Sequence, residues 1–296
     1  MLAWIPDDPD LRYLGPIPDG LRISSDPAEL EEAQFFVADG WADPESVAAL
    51  PRMKSLEVVQ TLSAGVDWVP KLPPSVTLCD GRGVHDVAVA EWVLAVVLAS
   101  ARRLFEAAAS QLAGRWERPP QAELHGSRVL ILGYGSIGAA VEERLLPFGA
   151  DVDRVARTAR DGVHPLAAIG ELLPTADVVV VLLPLTSETR GLVGPGFLGR
   201  MKEGALLVNA ARGPIVDTAA LLEALRAGPV RAALDVTDPE PLPDEHPLWS
   251  APGALITPHI GGDTPGFRPR AYKLVGDQLR RYAAGEPLIN VVEGGY

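Results

Sequence analysis

Apolar positions along this chain follow two alternating periods. Short apolar or alternating runs at Leu2 to Ile5, Leu21 to Ser24, Gln34 to Ala38, Leu56 to Leu62 and Val76 to Cys79 predict strands. Pro44 to Leu50 predicts a helix start, with Asp43 placed to cap it. Further strands are predicted at Arg128 to Leu132, Ala150 to Val155, Ala176 to Leu183, Leu206 to Asn209, Ala232 to Asp235 and Ala254 to Thr257. Helical patterns at Ala139 to Leu146, Leu166 to Leu173, Pro195 to Met201 and Thr218 to Ala227 separate them. Ala176 to Leu183 is apolar almost throughout, as in a strand covered on both faces. Strands alternating with helices predict parallel sheets and an α/β fold, doubly wound in its second half. No solenoid-type repeat is visible.

Val87 to Phe105 is apolar nearly all round and predicts one long helix buried on most sides. It suits a joint between domains or a subunit interface, with Glu91 and the pair Arg102-Arg103 on its less buried face. Gly114 to Gly126, polar and containing Pro119-Pro120, reads as a surface connection. Pro269 to Ala284 predicts an amphipathic helix that returns to the first domain.

The predicted strand at Arg128 to Leu132 runs into Gly133-Tyr-Gly135-Ser-Ile-Gly138, spaced G-x-G-x-x-G, and then into a helix. Gly133 permits a sharp turn, Gly135 lets a pyrophosphate approach the backbone, and Gly138 lets the helix pack close to the sheet. The N–H groups at the helix start, around Ser136 and Ile137, then face the phosphates. Glycine turns are common, but the strand-to-helix context marks this one as a dinucleotide site.

Composition narrows the partners. A formal net charge of −13 opposes nucleic acid. With 47% hydrophobic residues over 296 positions, the chain can bury one large core or two domain cores. Cys79 is the single cysteine, so an internal disulfide and a cysteine-based metal site are excluded, and a buried structural thiol is expected. The first residues lack the basic and apolar regions of a signal peptide, and the longest apolar run, Trp92 to Ala99, is too short to span a membrane. A soluble, cytoplasmic protein without a metal is expected.

Four segments follow predicted strands and carry candidate chemistry. Ser63-Ala64-Gly65-Val66-Asp67 reads either as an anion cradle of backbone amides or as an ordinary turn. Asn209-Ala210-Ala211-Arg212-Gly213, Asp238-Pro-Glu240-Pro241 and Thr257-Pro-His259-Ile-Gly-Gly262 end strands of the second half, where open parallel sheets bind ligands. Arg212 can fork onto a carboxylate and a keto oxygen. His259 can protonate that oxygen. Glu240 can hold the imidazole and favour its charged form. Singly, His259 also reads as structural and Glu240 as a solvated charge. Together they suit hydride delivery to a carbonyl beside a carboxylate.

At these residues the chain resembles the D-isomer-specific 2-hydroxyacid dehydrogenases. The matching pieces are Gln60-Thr-Leu-Ser-Ala-Gly-Val-Asp67, Val89-Ala-Glu-Trp92, the glycine-rich turn, Leu183-Pro-Leu-Thr186 and Asn209-Ala-Ala-Arg-Gly213. They continue with Asp235-Val236 before Glu240-Pro241, Thr257-Pro-His259, and Gly285-Glu-Pro287 before Asn290-Val-Val292. The resemblance implies two domains, a Rossmann-type doubly wound nucleotide domain inserted in a flavodoxin-like substrate domain. The expected boundaries are 1–95 and 267–296 for the substrate domain and 96–266 for the NAD(P) domain. It implies a catalytic triad of Arg212, Glu240 and His259, and a substrate carboxylate held near Ala64 and Gly65 with Arg212 and His259. Cofactor contacts are expected from Gly133, Gly135, Ser136, Ile137, Gly138, Arg157, Thr158, Leu183, Pro184, Ala210, Ala211, Asp235, His259 and Gly261. A homodimer built around the helix from about Val87 is also implied.

One departure bears on the cofactor. NAD-using members usually carry an acid at the end of the second nucleotide-domain strand, where this chain has Ala156 followed by Arg157. An arginine there can pair with a 2′-phosphate, so NADP is expected, with NAD possible. Arg157 also reads as a plain surface arginine. Formate dehydrogenases of similar type carry glutamine where this chain has Glu240, and many phosphoglycerate dehydrogenases carry a regulatory domain that is not expected after Tyr296. The reading is therefore an NADP-preferring reductase of small 2-oxo acids, of glyoxylate or hydroxypyruvate type. The alternatives are a phosphoglycerate dehydrogenase-like enzyme and, in another class, an NAD(P)-sensing or corepressor-like binding protein.

Overall fold

The computed structural model describes every residue except Asp8, Trp41, Ala42, Pro229 and Glu293–Tyr296. The chain divides into two compact units, Met1–His85 with Thr264–Tyr296, and Asp86–Asp263. The divisions fall at 85/86 and 263/264, against the expected 95/96 and 266/267, because the first helix after residue 85 goes whole with the second unit.

The first unit holds strands β1 (Leu2–Trp4), β2 (Arg22–Ser24), β3 (Phe35–Ala38), β4 (Val58–Thr61) and β5 (Thr77–Cys79). They form a parallel sheet in the order β2-β1-β3-β4-β5, the flavodoxin-like winding. Helix α1 (Pro44–Val47) starts where Asp43 accepts the Ser46 N–H at 3.1 Å. Alternate strand residues feed two cores: Phe35 and Val37 on one face, Phe36 and Ala38 on the other. The C-terminal helix, Phe267–Ala284, packs Tyr272, Val275 and Leu279 into the first of these. Its buried Gln278 donates to Gln60 of β4 at 2.8 Å and exchanges hydrogen bonds with the Ile289 backbone. The return of the C-terminal segment is thus built on satisfied buried amides as well as on apolar contact. Cys79 is fully buried, and that burial pushes its thiol up to about 11.

The second unit opens with α2 (Asp86–Ala101) and α3 (Leu104–Leu112). There follow β6 (Arg128–Leu132), α4 (Ser136–Leu145), β7 (Asp151–Ala156), β8 (His164–Pro165), α5 (Ile169–Leu172) and β9 (Val178–Val181). The unit ends with α6 (Pro195–Leu198), β10 (Ala205–Asn209), α7 (Thr218–Ala227), β11 (Val230–Leu234) and β12 (Ala254–Ile256). Its seven-stranded sheet runs β12-β11-β10-β9-β6-β7-β8, all parallel, which is a Rossmann winding with one strand added. On β9, Val179 and Val181 enter one core while Val178 and Val180 enter the other. Each such valine contributes about 1.5–3 kcal/mol by burial.

The single long helix expected from Val87 to Phe105 is two helices. The Ala101 carbonyl accepts the Ala122 N–H at 2.9 Å, and Arg103 turns left-handed at φ 52° before α3 begins. The first of them, α2, is covered on most sides as expected: Ala88, Val89, Ala90, Val93, Val96 and Val97 are buried, and of its residues only the strip Val87, Glu91 and Ala95 is exposed. Arg102 is exposed beyond its end, and α3 is exposed almost throughout.

Candidate functional site

The strands of each sheet are parallel, so the segments that follow them emerge at one edge of that sheet. In the second unit the chain leaves β6 at Gly133, whose φ of 105° is a glycine conformation. A Cβ there would lie 2.5 Å from the Leu182 carbonyl. The Gly133 and Tyr134 N–H groups both donate to the Val155 carbonyl at 2.9 Å, which pins the turn beside β7. At Gly138 a Cβ would come within 2.8 Å of the Gly133 carbonyl, so α4 can lie close only because that side chain is missing. Gly135 differs, being exposed with nothing within 4 Å of where a Cβ would be. No side chain among the described residues caps α4, which leaves the first-turn amides around Ser136 and Ile137 without a side-chain acceptor there. An open backbone approach in front of an uncapped ten-residue helix fits a pyrophosphate.

The other expected cofactor residues lie along the same edge. Arg157 and Thr158 follow β7, both exposed, and Arg157 has no hydrogen-bond or ion-pair partner among the described residues. Leu183 and Pro184 follow β9. Leu183 is buried in the core, and the Pro184 carbonyl accepts the Thr189 hydroxyl at 2.6 Å. Ala210 and Ala211 follow β10, with Ala211 buried.

The three charged side chains follow β10, β11 and β12. Asn209 accepts the Ala211 N–H and donates to the Arg212 carbonyl, shaping the turn that carries Arg212. Gly213 lies so close to the Thr237 backbone that a Cβ would sit 1.8 Å from its carbonyl oxygen. This contact brings the Arg212 loop against the loop bearing Glu240, which lies between two cis X-Pro bonds, Asp238–Pro239 and Glu240–Pro241. Glu240 Oε1 meets His259 Nδ1 at 2.5 Å, with both side chains about 28% exposed. The structure therefore pairs Glu240 with His259 and sets Arg212 on the adjacent turn.

Asp235 and Gly261, also expected at the cofactor, are tied to each other. Asp235 is 4% exposed, and its two carboxylate oxygens accept the Thr257 hydroxyl and the Ile260 and Gly261 N–H groups at 2.6–2.9 Å. Its carbonyl also accepts the His259 N–H at 2.8 Å. Asp235 is thus the clamp that holds His259 in its left-handed turn at φ 55°. Sequence spacing gave no sign of this, since the donors lie 22 to 26 residues downstream of Asp235.

In the first unit, Ser63–Asp67 follows β4. The Ser63 carbonyl accepts the Thr61 hydroxyl at 2.6 Å and the Gly81 N–H at 2.8 Å. The Gly65 carbonyl accepts Ser63 Oγ at 2.8 Å and Trp68 Nε1 at 2.9 Å. The carbonyls are engaged, whereas the Ala64 and Gly65 N–H groups have no acceptor among the described residues. Of the two readings open from sequence, this geometry favours an anion cradle over a plain turn. No group of three or more metal-binding side chains is gathered among the described residues, and no helix there is long and apolar enough to cross a membrane.

Comparison with known proteins agrees with this architecture. The family described as "D-isomer specific 2-hydroxyacid dehydrogenase, NAD binding domain" matches residues 94–261. A D-3-phosphoglycerate dehydrogenase of Mycobacterium leprae is 38% identical over 272 residues, covering 86% of this chain and 50% of the relative. The chain thus spans about half the length of the phosphoglycerate dehydrogenases it matches. A glyoxylate reductase of Thermofilum pendens is 35% identical over 82% of this chain and 76% of its own. Among solved structures, a D-isomer specific 2-hydroxyacid dehydrogenase from Xanthobacter autotrophicus, in complex with NADPH and MES, superposes with a TM-score of 0.83. It is 33% identical, covering 99% of this chain and 97% of that one. The chain belongs to the D-isomer-specific 2-hydroxyacid dehydrogenases, NAD(P)-dependent oxidoreductases acting on a CH–OH group.

Proposed function

We propose that this family member is an NADP-preferring reductase of a small 2-oxo acid of the glyoxylate or hydroxypyruvate type. The observation that carries the reading is the Glu240–His259 pair on a rigidly clamped turn beside Arg212. The second unit is the nucleotide domain and the first the substrate domain. Gly133, Gly135 and Gly138, with the amides of Ser136 and Ile137, hold the pyrophosphate. Leu183, Pro184, Ala210 and Ala211 border the cofactor through the backbone they present at the strand ends, while Arg157 and Thr158 face its adenosine end. NADPH, when bound, supplies the hydride.

The chain's own groups do the rest. Ala64 and Gly65 bind the substrate carboxylate through their N–H groups. Arg212 orients carboxylate and carbonyl oxygen with its guanidinium fork. His259, with Nδ1 committed to Glu240, gives a proton from Nε2 to the carbonyl oxygen as negative charge develops there. Glu240 orients the imidazole and fixes its tautomer through Nδ1. The absence of an acid after β7 and the presence of Arg157 support NADP over NAD, as does the NADPH bound by the Xanthobacter relative.

The identity to phosphoglycerate dehydrogenases favours a second substrate reading, 3-phosphoglycerate. One screen separates the two. NADPH and NADH oxidation is followed with glyoxylate, hydroxypyruvate and pyruvate, and NAD(P)⁺ reduction with 3-phosphoglycerate. The primary reading expects higher kcat/KM with NADPH and a small 2-oxo acid, and an Arg157→Ala variant with weakened NADPH use and nearly unchanged NADH use. Turnover confined to 3-phosphoglycerate selects the second reading, and absence of turnover with all of them would favour a nucleotide-sensing role. A cytoplasmic homodimer completes the proposal. Along α3 and the segment after it, Leu104, Phe105, Leu112 and Trp116 are 41–95% exposed, apolar side chains that a second copy would cover. Light scattering at micromolar concentration is expected to give twice the chain mass.

A further inference from the structure

The residue between the first two glycines is Tyr134, and a set of charged groups converges on it. Its hydroxyl hydrogen-bonds to Glu142, a carboxylate on α4 that is 5% exposed. Glu142 in turn forms a forked ion pair with Arg154 of β7. The Arg154 guanidinium lies 5.6 Å from the centre of the Tyr134 ring, and the Arg160 guanidinium lies 5.7 Å from it. Arg160 also donates from Nη2 to the Tyr134 carbonyl at 2.5 Å. Its backbone is held as well. Arg160 and Val163 exchange N–H to carbonyl bonds at 2.9 and 3.2 Å around a turn closed by Gly162 at φ 67°. Arg157, three residues earlier, has no such anchorage among the described residues.

Two arginines therefore follow β7 near the glycine-rich turn, one loose and one placed in advance. Arg154 is neutralised by Glu142, whereas the contacts of Arg160 are to a neutral carbonyl and a neutral ring, so no carboxylate among the described residues cancels its charge. A guanidinium held this way keeps N–H groups for a further acceptor, because one fork engages a single carbonyl. We propose that Tyr134 holds Arg160 as a second, pre-placed arm for the 2′-phosphate of an adenosine cofactor, alongside Arg157, with Glu142 and Arg154 as positioning residues that fix the Tyr134 ring. The inference rests on the NADP reading above and adds where its selectivity is anchored. Ordering an arginine before binding removes part of the rotamer entropy that a loose side chain gives up on contact. On this account Arg160 contributes more to selectivity than Arg157.

The test uses two fragments and no turnover. Binding of 2′,5′-ADP and of 5′-AMP to the whole protein is measured by calorimetry. The wild type is expected to prefer 2′,5′-ADP by at least about tenfold, the scale of one charge-assisted hydrogen bond. Arg160→Ala should remove most of that preference while 5′-AMP affinity stays within about twofold. Tyr134→Leu should reduce the preference several-fold with Arg160 still present, an effect that a merely structural tyrosine would not have on the ratio. Arg160→Ala that keeps the full preference, or that weakens both ligands equally, overturns the proposal and leaves the cofactor reading standing. A wild type that does not prefer 2′,5′-ADP overturns both. Arg160 is exposed, so its substitution leaves the fold intact.

Discussion

The turn after β6 and the turn after β4 do similar work by opposite means. Each follows a buried parallel strand and, on the proposed function, offers backbone N–H groups to an anion. After β6 the shape comes from what is missing. Gly133 and Gly138 lack the Cβ atoms that would strike neighbouring backbone, and α4 lacks a capping side chain among the described residues. After β4 the shape comes from what is added. Thr61, Ser63 and Trp68 donate to the carbonyls of Ser63 and Gly65. With those carbonyls engaged, the Ala64 and Gly65 amides are left without an acceptor among the described residues. The first kind of site is legible in a string of letters, because glycine spacing alone imposes it. The second depends on side chains finding carbonyls two and three residues away, and it looks like any polar turn until folded.

If the two turns serve cofactor and substrate separately, the largest effect should come from a residue belonging to neither. His259→Ala should lower kcat for 2-oxo acid reduction by about 10²–10⁴-fold, the usual contribution of a placed proton donor. NADPH affinity should stay near wild type. Near-normal turnover of glyoxylate, hydroxypyruvate and pyruvate would remove the Glu240–His259 pair from the chemistry.

Next come the glycines, which separate fold from binding within one turn. Gly133→Ala forces a side chain into a positive φ and into the Leu182 carbonyl, so it should destabilise the unit by about 1–3 kcal/mol or more. Gly135→Ser places its Cβ in open space and keeps a good cap residue, so the melting temperature should hold. NADPH affinity should nonetheless fall by about tenfold or more, about 1.4 kcal/mol. Thermal melts and cofactor titrations on both variants check this, and a Gly135→Ser protein that binds NADPH normally would end the pyrophosphate assignment. In the other turn, Ser63→Ala should raise KM for the 2-oxo acid by about three- to tenfold, the value of one hydrogen bond, with KM for NADPH unchanged. Loss in both constants would mean that the substitution damaged more than the cradle.

The same contrast explains what else was readable. Helix α7 runs from Thr218 to Ala227 as expected, because Asp217 accepts the Ala220 N–H at its start and Gly228 turns left-handed at its end. The charged trio was readable because a parallel sheet sends Arg212, Glu240 and His259 to one edge. The break at Arg103 was not, since no glycine or proline marks it and the Ala122 N–H that ends α2 arrives from beyond α3. The 3₁₀ turns at Pro9–Leu14 and Pro27–Glu32 are too short to show a period. The clamp at Asp235 and the Tyr134–Glu142–Arg154 network join side chains on different elements, which no local pattern encodes.

The smallest effect tests the floor of the turn after β4, proposed above to hold the substrate. Gly81 donates to the Ser63 carbonyl, and the preceding residue, Asp80, is 2% exposed. Burial raises the Asp80 carboxyl above its ordinary 3.8, against the opposing pull of the Arg82 N–H at 3.0 Å and the Arg82 guanidinium at 3.2 Å. Below 3.8 both folded and unfolded chains hold the proton, and no stability is at stake. As the pH rises past that value the unfolded chain ionises first, so ionisation favours unfolding and stability falls until the folded group has ionised too. Asp80→Asn abolishes this titration and keeps one oxygen for the Arg82 N–H. The melting temperature of the variant relative to wild type should therefore climb as the pH rises from 3.8 toward neutrality and stay flat below it. A difference that moves the other way would show that the Arg82 ion pair outweighs burial, and that the substrate turn is built on a favourable charge rather than on a tolerated one.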